Sequence, residues 1–210
     1  MSGKLLVVLS VGFLLSPCTG LASVINFDDI DTDLNATLVN GYQGLDWSNF
    51  SAQPGSGLPG TGYMAGVVSA PNDAFNEAGD PASFSSVTPF SFVSGYFTAA
   101  WKEGLNISIQ GLNGTNVLFS RTIIVSSTAP TLETFNWTGL TEVTFDSFGG
   151  TPSPNPTGTG SQFVLDNLTI NSSVPEPGTP LLFAGGLGAL FLLKAFTGCA
   201  RRSGTSQTRP

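Results

Sequence analysis

Between residues 23 and 173 the chain alternates apolar and polar positions with the two-residue period of a β-strand. The clearest stretch has Leu105, Ile107 and Ile109 alternating with polar neighbours, and it ends in the turn at residues 111–114. Successive side chains of a strand point to opposite faces, so this stretch is predicted to bury one side and to expose the other.

Further strands are predicted wherever aromatic and β-branched residues collect between turn residues, and no stretch carries a convincing helical stripe. The predicted strands cover residues 24–27, 42–50, 63–70, 83–101, 105–110, 117–125, 132–137, 143–145 and 162–170. The segments between them, above all residues 54–62, 71–81 and 151–160, are predicted to be turns and loops. Eight or nine short strands predict an all-β fold, an antiparallel β-sandwich with a jelly-roll-like order.

An apolar run near the start interrupts this pattern. Lys4 precedes the run at residues 5–15, and small residues follow it up to Ala22. A charged start, a short apolar core and a small-residue cleavage site predict a secretory signal peptide over residues 1–22. Cys18 admits a lipoprotein as an alternative, although Pro17 directly before it disfavours that processing.

A second apolar run lies near the other end. Residues 181–193 carry no charge and, with the residues that follow, approach the roughly 17 residues needed to span a bilayer. The basic residues behind the run are expected to stay cytoplasmic, which leaves the earlier chain outside. The chain is therefore predicted to have one C-terminal transmembrane helix, with residues 203–210 as a cytoplasmic tail.

The residues around this run carry a resemblance to a known family. The apolar run is preceded by a Pro-rich tether and followed by an arginine pair, formed by Val174, Pro175, Glu176, Pro177, Arg201 and Arg202. Residues 174–202 thus resemble the PEP-CTERM protein-sorting signal of bacteria, also described as an ice-binding-protein-type C-terminal domain. One departure is that the family usually ends a few residues after the arginines, whereas this chain continues to Pro210.

The resemblance implies a route for the protein. An exosortase-type membrane transpeptidase would recognise the Pro-Glu-Pro segment, remove the helix and release the ectodomain to the cell surface or the extracellular matrix. Signal peptidase and the export machinery are the other implied partners, and the cytoplasmic membrane would be an intermediate location. An ordinary single-pass membrane anchor with a Pro-rich stalk is the alternative.

Composition limits what residues 23–173 can do. About 150 residues suit one domain with its own core, and the two cysteines, Cys18 and Cys199, both lie outside this stretch. Lys102 and Arg121 stand against thirteen acidic residues, so the formal charge is −11. Two scattered cations cannot neutralise a row of phosphates, which excludes nucleic acid and anionic membranes as partners.

The chain has no histidine, which excludes Ser-His-Asp catalysis and His-ligated zinc or copper sites. What survives is carboxylate chemistry such as glycoside hydrolysis, which needs two opposed acids. The acids that fall in suitable polar contexts are scattered, namely Asp46, Glu77, Glu103, Glu133 and Glu142. We therefore predict no catalytic residue and no enzyme, with a glycan hydrolase as the alternative.

The acidic residues near the start suggest calcium. Asp29, Asp31 and Asp33 alternate at a calcium-loop spacing, although Leu34 stands where an EF-hand requires glycine. The segments 27–29 and 164–168 loosely resemble the terminal strands of carbohydrate-binding-module-like jelly rolls. In many of those a structural Ca²⁺ ties the first and last strands together, which implies a calcium site at Asp28, Asp29, Asp31 and Asp166. The alternative is a solvated acidic loop and an Asp166 carboxylate satisfied by loop N–H groups.

Three tryptophans are candidates for sugar stacking. Trp47, Trp101 and Trp137 could present flat faces to pyranose rings, and Trp101 stands beside a polar turn. Burial in the core is the alternative, because a chain with sixteen Phe must build its core from aromatics. The predicted function is a non-catalytic domain that binds or structures exopolysaccharide. Ice or mineral binding would need a flat threonine array, and no regular threonine repeat is present.

Overall fold

The structure is a computed structural model that describes residues 22–153 and 158–172. The chain divides into two units, Met1–Ser173 and Val174–Pro210, and every described residue belongs to the first. The signal peptide up to residue 21, the sorting motif, the apolar run at 181–193 and the tail lie outside the described residues. No helix within the described ranges is long and apolar enough to cross a bilayer.

Ten antiparallel strands make up most of the described chain. They are β1 (Ala22–Ile25), β2 (Ala36–Thr37), β3 (Asp46–Ser48), β4 (Phe50–Pro54), β5 (Asn72–Asn76), β6 (Ala82–Ala99), β7 (Lys102–Asn113), β8 (Asn116–Val125), β9 (Thr131–Pro152) and β10 (Phe163–Ser172). One short helix, α1 (Gly62–Gly66), and three 3-10 turns (Tyr42–Gly44, Gly55–Gly57 and Glu77–Gly79) complete the elements of the described ranges. The prediction of an all-β antiparallel fold is confirmed, and the arrangement is consistent with a sandwich.

The strands follow the order β2-β4-β5-β10-β6-β9-β7-β8, with β1 added to β10 and β3 added to β6. β6 and β9 have 18 and 22 residues and change partners along their length. The start of β6 pairs with β3, whereas its end pairs with β10. Register shifts in the β6–β9 ladder mark where these long strands bend, so that a single hydrogen-bonded sheet folds over one core.

Phenylalanine fills that core. Its largest fully buried side chains include Phe27, Phe50, Phe84, Phe92, Phe97, Phe145 and Phe163. A smaller cluster of Tyr63, Phe75, Ala100 and Val164 lies on the opposite side of β5 and β10, because alternate residues of a strand face opposite ways. The buried members of both clusters fall between residues 25 and 170, so residues 23–173 contain a core of their own.

The strand predicted over residues 63–70 is wrong. The structure has α1 there, and the Thr61 hydroxyl accepts the backbone N–H of Tyr63 as an N-cap. Gly62 packs so closely on β6 that a Cβ would lie 1.7 Å from the carbonyl oxygen of Ala99. A close backbone approach of this kind gives no signal in the apolar pattern.

The turn predicted over residues 71–81 is also wrong in its first half, because β5 is a fully buried strand. Its polar side chains satisfy backbone groups of neighbouring segments. The Asn72 amide donates to the carbonyls of Phe27 and Ile30, and the Asn76 amide oxygen accepts the N–H of Phe163. Buried asparagines that are fully paired are stable in a core, but in sequence they resemble a turn.

Three strand predictions had the wrong boundaries. Residues 42–50 form a 3-10 turn, β3 and the first residue of β4, because Asn49 adopts φ 58 between the strands. Conversely, the strands predicted over 132–137 and 143–145 are parts of β9, which continues through Gly139 at φ 73.

Candidate functional site

The solvent side of five neighbouring strands forms a polar surface, which we call the outer face. Leu105, Ile107 and Ile109 of β7 are fully buried. Asn106, Ser108 and Gln110 therefore point the other way and are partly exposed. This is the side that the two-residue period predicted to face solvent.

Strand register extends this surface across the sheet in three rows. The middle row crosses five strands and consists of Ser48, Ser83, Thr144, Gln110 and Ser120. A second row consists of Asp146, Ser108 and Thr122, and a third of Phe148, Asn106 and Ile124. Neighbours within a row are separated by about one strand spacing, roughly 4.8 Å. The outer face is defined by these eleven residues.

The third row combines apolar surface with an amide. The side chains of Phe148 and Ile124 are 49% and 67% exposed. Between them, the Asn106 amide donates to the carbonyl of Phe148 at 3.4 Å. Gly149 has φ 71, and a Cβ there would lie 2.9 Å from the Asn106 amide nitrogen, so glycine lets the amide lie against β9. An exposed ring beside a fixed amide is suited to contact the C–H face and the hydroxyls of a sugar.

Both cations of the described residues are occupied elsewhere. Arg121 lies on the core side of β8, where it pairs with Glu133 at 2.5 Å and covers the Phe135 ring at 5.4 Å. Lys102 donates from Nζ to the Ser161 hydroxyl at 2.9 Å. The outer face therefore offers hydroxyls, amides and one carboxylate, but no positive charge.

Three of the five candidate catalytic acids have structural contacts. Glu77 accepts the hydroxyl of Ser51, and Glu133 is the partner of Arg121. Glu103 accepts the N–H and hydroxyl of Ser127. These hydrogen bonds, the backbone N–H first, hold the pKa of Glu103 below its usual value. The other two acids, Asp46 of β3 and Glu142 of β9, lie in strand register on either side of Ser85 of β6, at the margin of the outer face.

The three candidate tryptophans pack against other residues. Trp47 and Trp137 are 6% and 8% exposed. The Trp47 indole donates to the Tyr42 carbonyl, and the Trp137 ring stacks on Phe119 with centroids 5.4 Å apart. Trp101 is half-buried against the edge of Tyr63. The flat faces of Trp47 and Trp137 are thus not available to a sugar in this conformation.

The acids predicted to bind calcium lie at one end of the domain, where they accept hydrogen bonds. Asp28 accepts the backbone N–H of Asn72 at 3.0 Å and the Asn26 amide at 2.7 Å. Asp29 accepts the Tyr42 hydroxyl at 2.6 Å and the Gln43 amide at 3.2 Å. Together with the exposed Asp31 they line an open cleft of about 290 Å³, whose other lining residues include Pro54, Pro71 and Asn72.

Asp166 is buried beneath the segment at residues 67–72. Its oxygens accept the backbone N–H groups of Val68 at 2.6 Å, Ser69 at 2.9 Å and Asn167 at 2.6 Å. Burial raises the pKa of Asp166 to about 6, although these N–H groups oppose the shift. Asp28 and Asp166 therefore both hold the 67–72 segment through its backbone.

These contacts bear on whether calcium fits. N–H groups direct their hydrogens at the oxygens that a cation would need, and Ca²⁺ takes six to eight oxygen ligands. Among the described residues, no group of three or more His, Cys, Asp or Glu side chains is arranged to hold a metal ion. The arrangement fits hydrogen bonding better than calcium coordination, and calcium at Asp28, Asp29, Asp31 and Asp166 stays a prediction.

Asp73 is the residue that sequence reasoning missed. It is fully buried on β5, and neither of its oxygens has a hydrogen-bond partner among the described residues. Phe75 and Ala74 pair with Val164 and Leu165, so the next step of the ladder brings Asp73 opposite Asp166. Burial, and then the Asp166 charge, raises the pKa of Asp73 to about 9. We call the half-buried Asp28 and the fully buried Asp73 and Asp166 the buried acid group.

Known proteins offer only weak likenesses. No protein-family model matches the chain, and no curated protein sequence matches it significantly. Among solved structures, the chain is similar to a DUF4465 family protein from Bacteroides caccae, with 12% identity, a TM-score of 0.47 and coverage of 72% of this chain and 99% of that one. It is also similar to TmCBM61, solved in complex with β-1,4-galactotriose, with 10% identity, a TM-score of 0.33 and coverage of 63% and 94%. Neither likeness assigns a family or a ligand to this chain.

Proposed function

We propose that this chain is an exported bacterial protein of the cell surface or extracellular matrix, whose non-catalytic, jelly-roll-like β-sandwich binds exopolysaccharide through the outer face. The observation that carries the binding proposal is the row of Phe148, Asn106 and Ile124, which faces solvent beside two rows of polar side chains.

The chemistry of the outer face suits a polysaccharide. Sugar rings have an apolar C–H face, which stacks on an aromatic ring, and an equator of hydroxyls, which pair with amides, hydroxyls and carboxylates. The three rows present those groups on a hydrogen-bonded sheet, so little backbone ordering opposes binding. Each hydrogen bond contributes only about 1 kcal/mol net, so an extended ligand that spans several strands is favoured over a single sugar.

A glycan array tests this proposal on residues 23–173, with and without calcium. The variants Phe148→Ala and Asn106→Ala are each expected to weaken binding about tenfold, since each removes roughly 1–1.5 kcal/mol of contact. Leu132→Ala is the matched control, because Leu132 also lies on β9 and is 51% exposed but is not part of the outer face. No glycan binding in either condition would overturn the proposal.

The proposed route rests on the sequence of residues 174–202 alone. In a bacterium that has an exosortase, the wild-type chain is expected to be shortened and released from the membrane. Replacing Pro175, Glu176 and Pro177 by alanine should leave the full-length form in the membrane fraction, whereas deleting residues 203–210 should not. Equal retention of the wild type and the alanine variant would support the plain-anchor alternative.

One observation keeps the hydrolase alternative testable. Asp46 and Glu142 flank Ser85 on neighbouring strands, so their backbones are separated by two strand spacings, about 10 Å. An inverting glycosidase needs its two carboxyl groups roughly 6.5–9.5 Å apart, so these two side chains would have to lean towards each other. Release of reducing ends from a bound glycan, abolished by Glu142→Gln, would replace the non-catalytic proposal with a hydrolase.

A further inference from the structure

We infer that the outer face selects uncharged polysaccharide chains and rejects chains that carry carboxylates or sulfates. This inference rests on the proposed function and names the ligand class of the same surface.

Among the described residues, no cation is placed on the outer face to receive an anionic sugar. Proteins bind carboxylate and phosphate groups chiefly through Arg and Lys. Arg121 is bound to Glu133 and lies over Phe135 on the core side of β8, and Lys102 is bound to Ser161. Recruiting Arg121 to the outer face would leave the Glu133 carboxylate without its partner.

The outer face itself carries a carboxylate. Asp146 is exposed and stands in register with Ser108, directly between the row that carries Phe148 and the row that carries Gln110. A chain that covers these rows passes over Asp146 at contact distance. A uronate or sulfate at that place meets a like charge, and the formal charge of −11 over residues 23–173 adds to the repulsion.

The same Asp146 carboxylate favours binding of a neutral chain. A carboxylate is a strong acceptor for sugar hydroxyls, with bonds roughly twice as strong as those of neutral acceptors. Asp146 therefore contributes to affinity for a neutral chain and to rejection of an acidic one, so that specificity has both an attractive and a repulsive part.

The experiment compares probes that share a backbone and differ at C6, where the acidic member has a carboxylate and the neutral member a hydroxymethyl group or a methyl ester. EDTA is present so that no cation bridges two carboxylates. Binding of residues 23–173 is measured to cellohexaose against β-1,4-glucuronan hexamer, and to methyl-esterified polygalacturonate against polygalacturonate. Neutral members are expected to bind at least tenfold more tightly. The affinity for an acidic member should rise with salt, because ions screen repulsion. Equal or tighter binding of the acidic members would overturn the inference.

A charge reversal locates the selectivity. Asp146→Lys is expected to lower the neutral-to-acidic affinity ratio at least tenfold. Asp33→Lys, which makes the same change of net charge in the exposed loop after β1, should lower it less than threefold. Equal ratios in the two variants would show that net charge alone rejects acidic chains and would overturn the role of the face. If neither pair of probes binds and the glycan array shows no binding, the proposed function is wrong, and this inference is wrong with it.

Discussion

The outer face lies on strands of the sheet, whereas the buried acid group joins Asp73 and Asp166 of two strands to Asp28 of a turn, and the two regions can do different things. On the outer face, Asn106 and Asp146 keep contact with water, so their remaining donors and acceptors are open to a ligand. In the buried acid group, the oxygens of Asp28 and Asp166 are used by the backbone of residues 67–72. Polar groups that are buried and paired hold a fold together, whereas exposed ones are free to recognise a partner.

The largest expected effect is a loss of stability when Asp166 is replaced, because its carboxylate holds the fold together. Asp166→Ala would leave three part-buried N–H groups without their acceptor, at about 1 kcal/mol each, so the free energy of unfolding should fall by roughly 3 kcal/mol. Asp146→Ala on the outer face is the control and should change it by less than about 0.5 kcal/mol. Urea unfolding of residues 23–173 measures both, and similar losses in the two variants would contradict the comparison.

Replacing Asp73 is expected to raise the free energy of unfolding, whereas replacing Asp166 lowers it. Its pKa is raised from 3.8 to about 9 in the folded state, so the folded protein holds a proton that the unfolded chain releases. The free energy of unfolding of the wild type should therefore decline as pH rises from about 4 to about 9, by up to about 1.4 kcal/mol per pH unit.

The variant Asp73→Asn should remove the decline above about pH 6, whereas the raised pKa of Asp166 keeps a smaller decline between about pH 4 and 6. At pH 7 it should stabilise the domain by a few kcal/mol, and near pH 3, where both states are protonated, the gain should vanish. Asp31→Asn serves as the control, since Asp31 is exposed. A wild-type protein whose stability is flat between pH 4 and 9 would show that Asp73 is ionised in the fold.

The smallest expected effect concerns metal. If backbone N–H groups already satisfy Asp28 and Asp166, EDTA should shift the melting temperature of residues 23–173 by less than about 1 °C. Added calcium should likewise have little effect, because only a ligand that binds the native state stabilises it. A rise of several degrees with calcium, lost in Asp166→Asn, would instead support the predicted calcium site.

The two regions also differ in how far the sequence predicted them. The alternation around Ile107 is visible without any structure, because residues 105–110 of β7 alternate strictly between apolar and polar side chains. For Asp166 the sequence leaves two interpretations, a calcium ligand or a carboxylate satisfied by loop N–H groups, and its contacts match the second. Asp73 was missed, since Asn72, Asp73 and Asn76 resemble a turn until their distant partners are known.

Aromatic residues show the same limit. Phe148 and Trp137 both lie on β9, and neither is marked in the sequence as exposed or buried. The structure covers Trp137 with Phe119 and leaves about half of Phe148 in solvent. Which ring can meet a ligand depends on the neighbouring strand, and that strand comes from another part of the chain.

By itself, the sequence determined the antiparallel β class, the acidic and histidine-free character of residues 23–173, and the side of β7 that faces solvent. Each of these depends on composition or on a local two-residue period. Only the tertiary structure decided that β3, β6, β9, β7 and β8 align their polar sides into one surface, and that Asp73 stands opposite Asp166. Both depend on strand register between segments far apart in the chain, which no local pattern encodes.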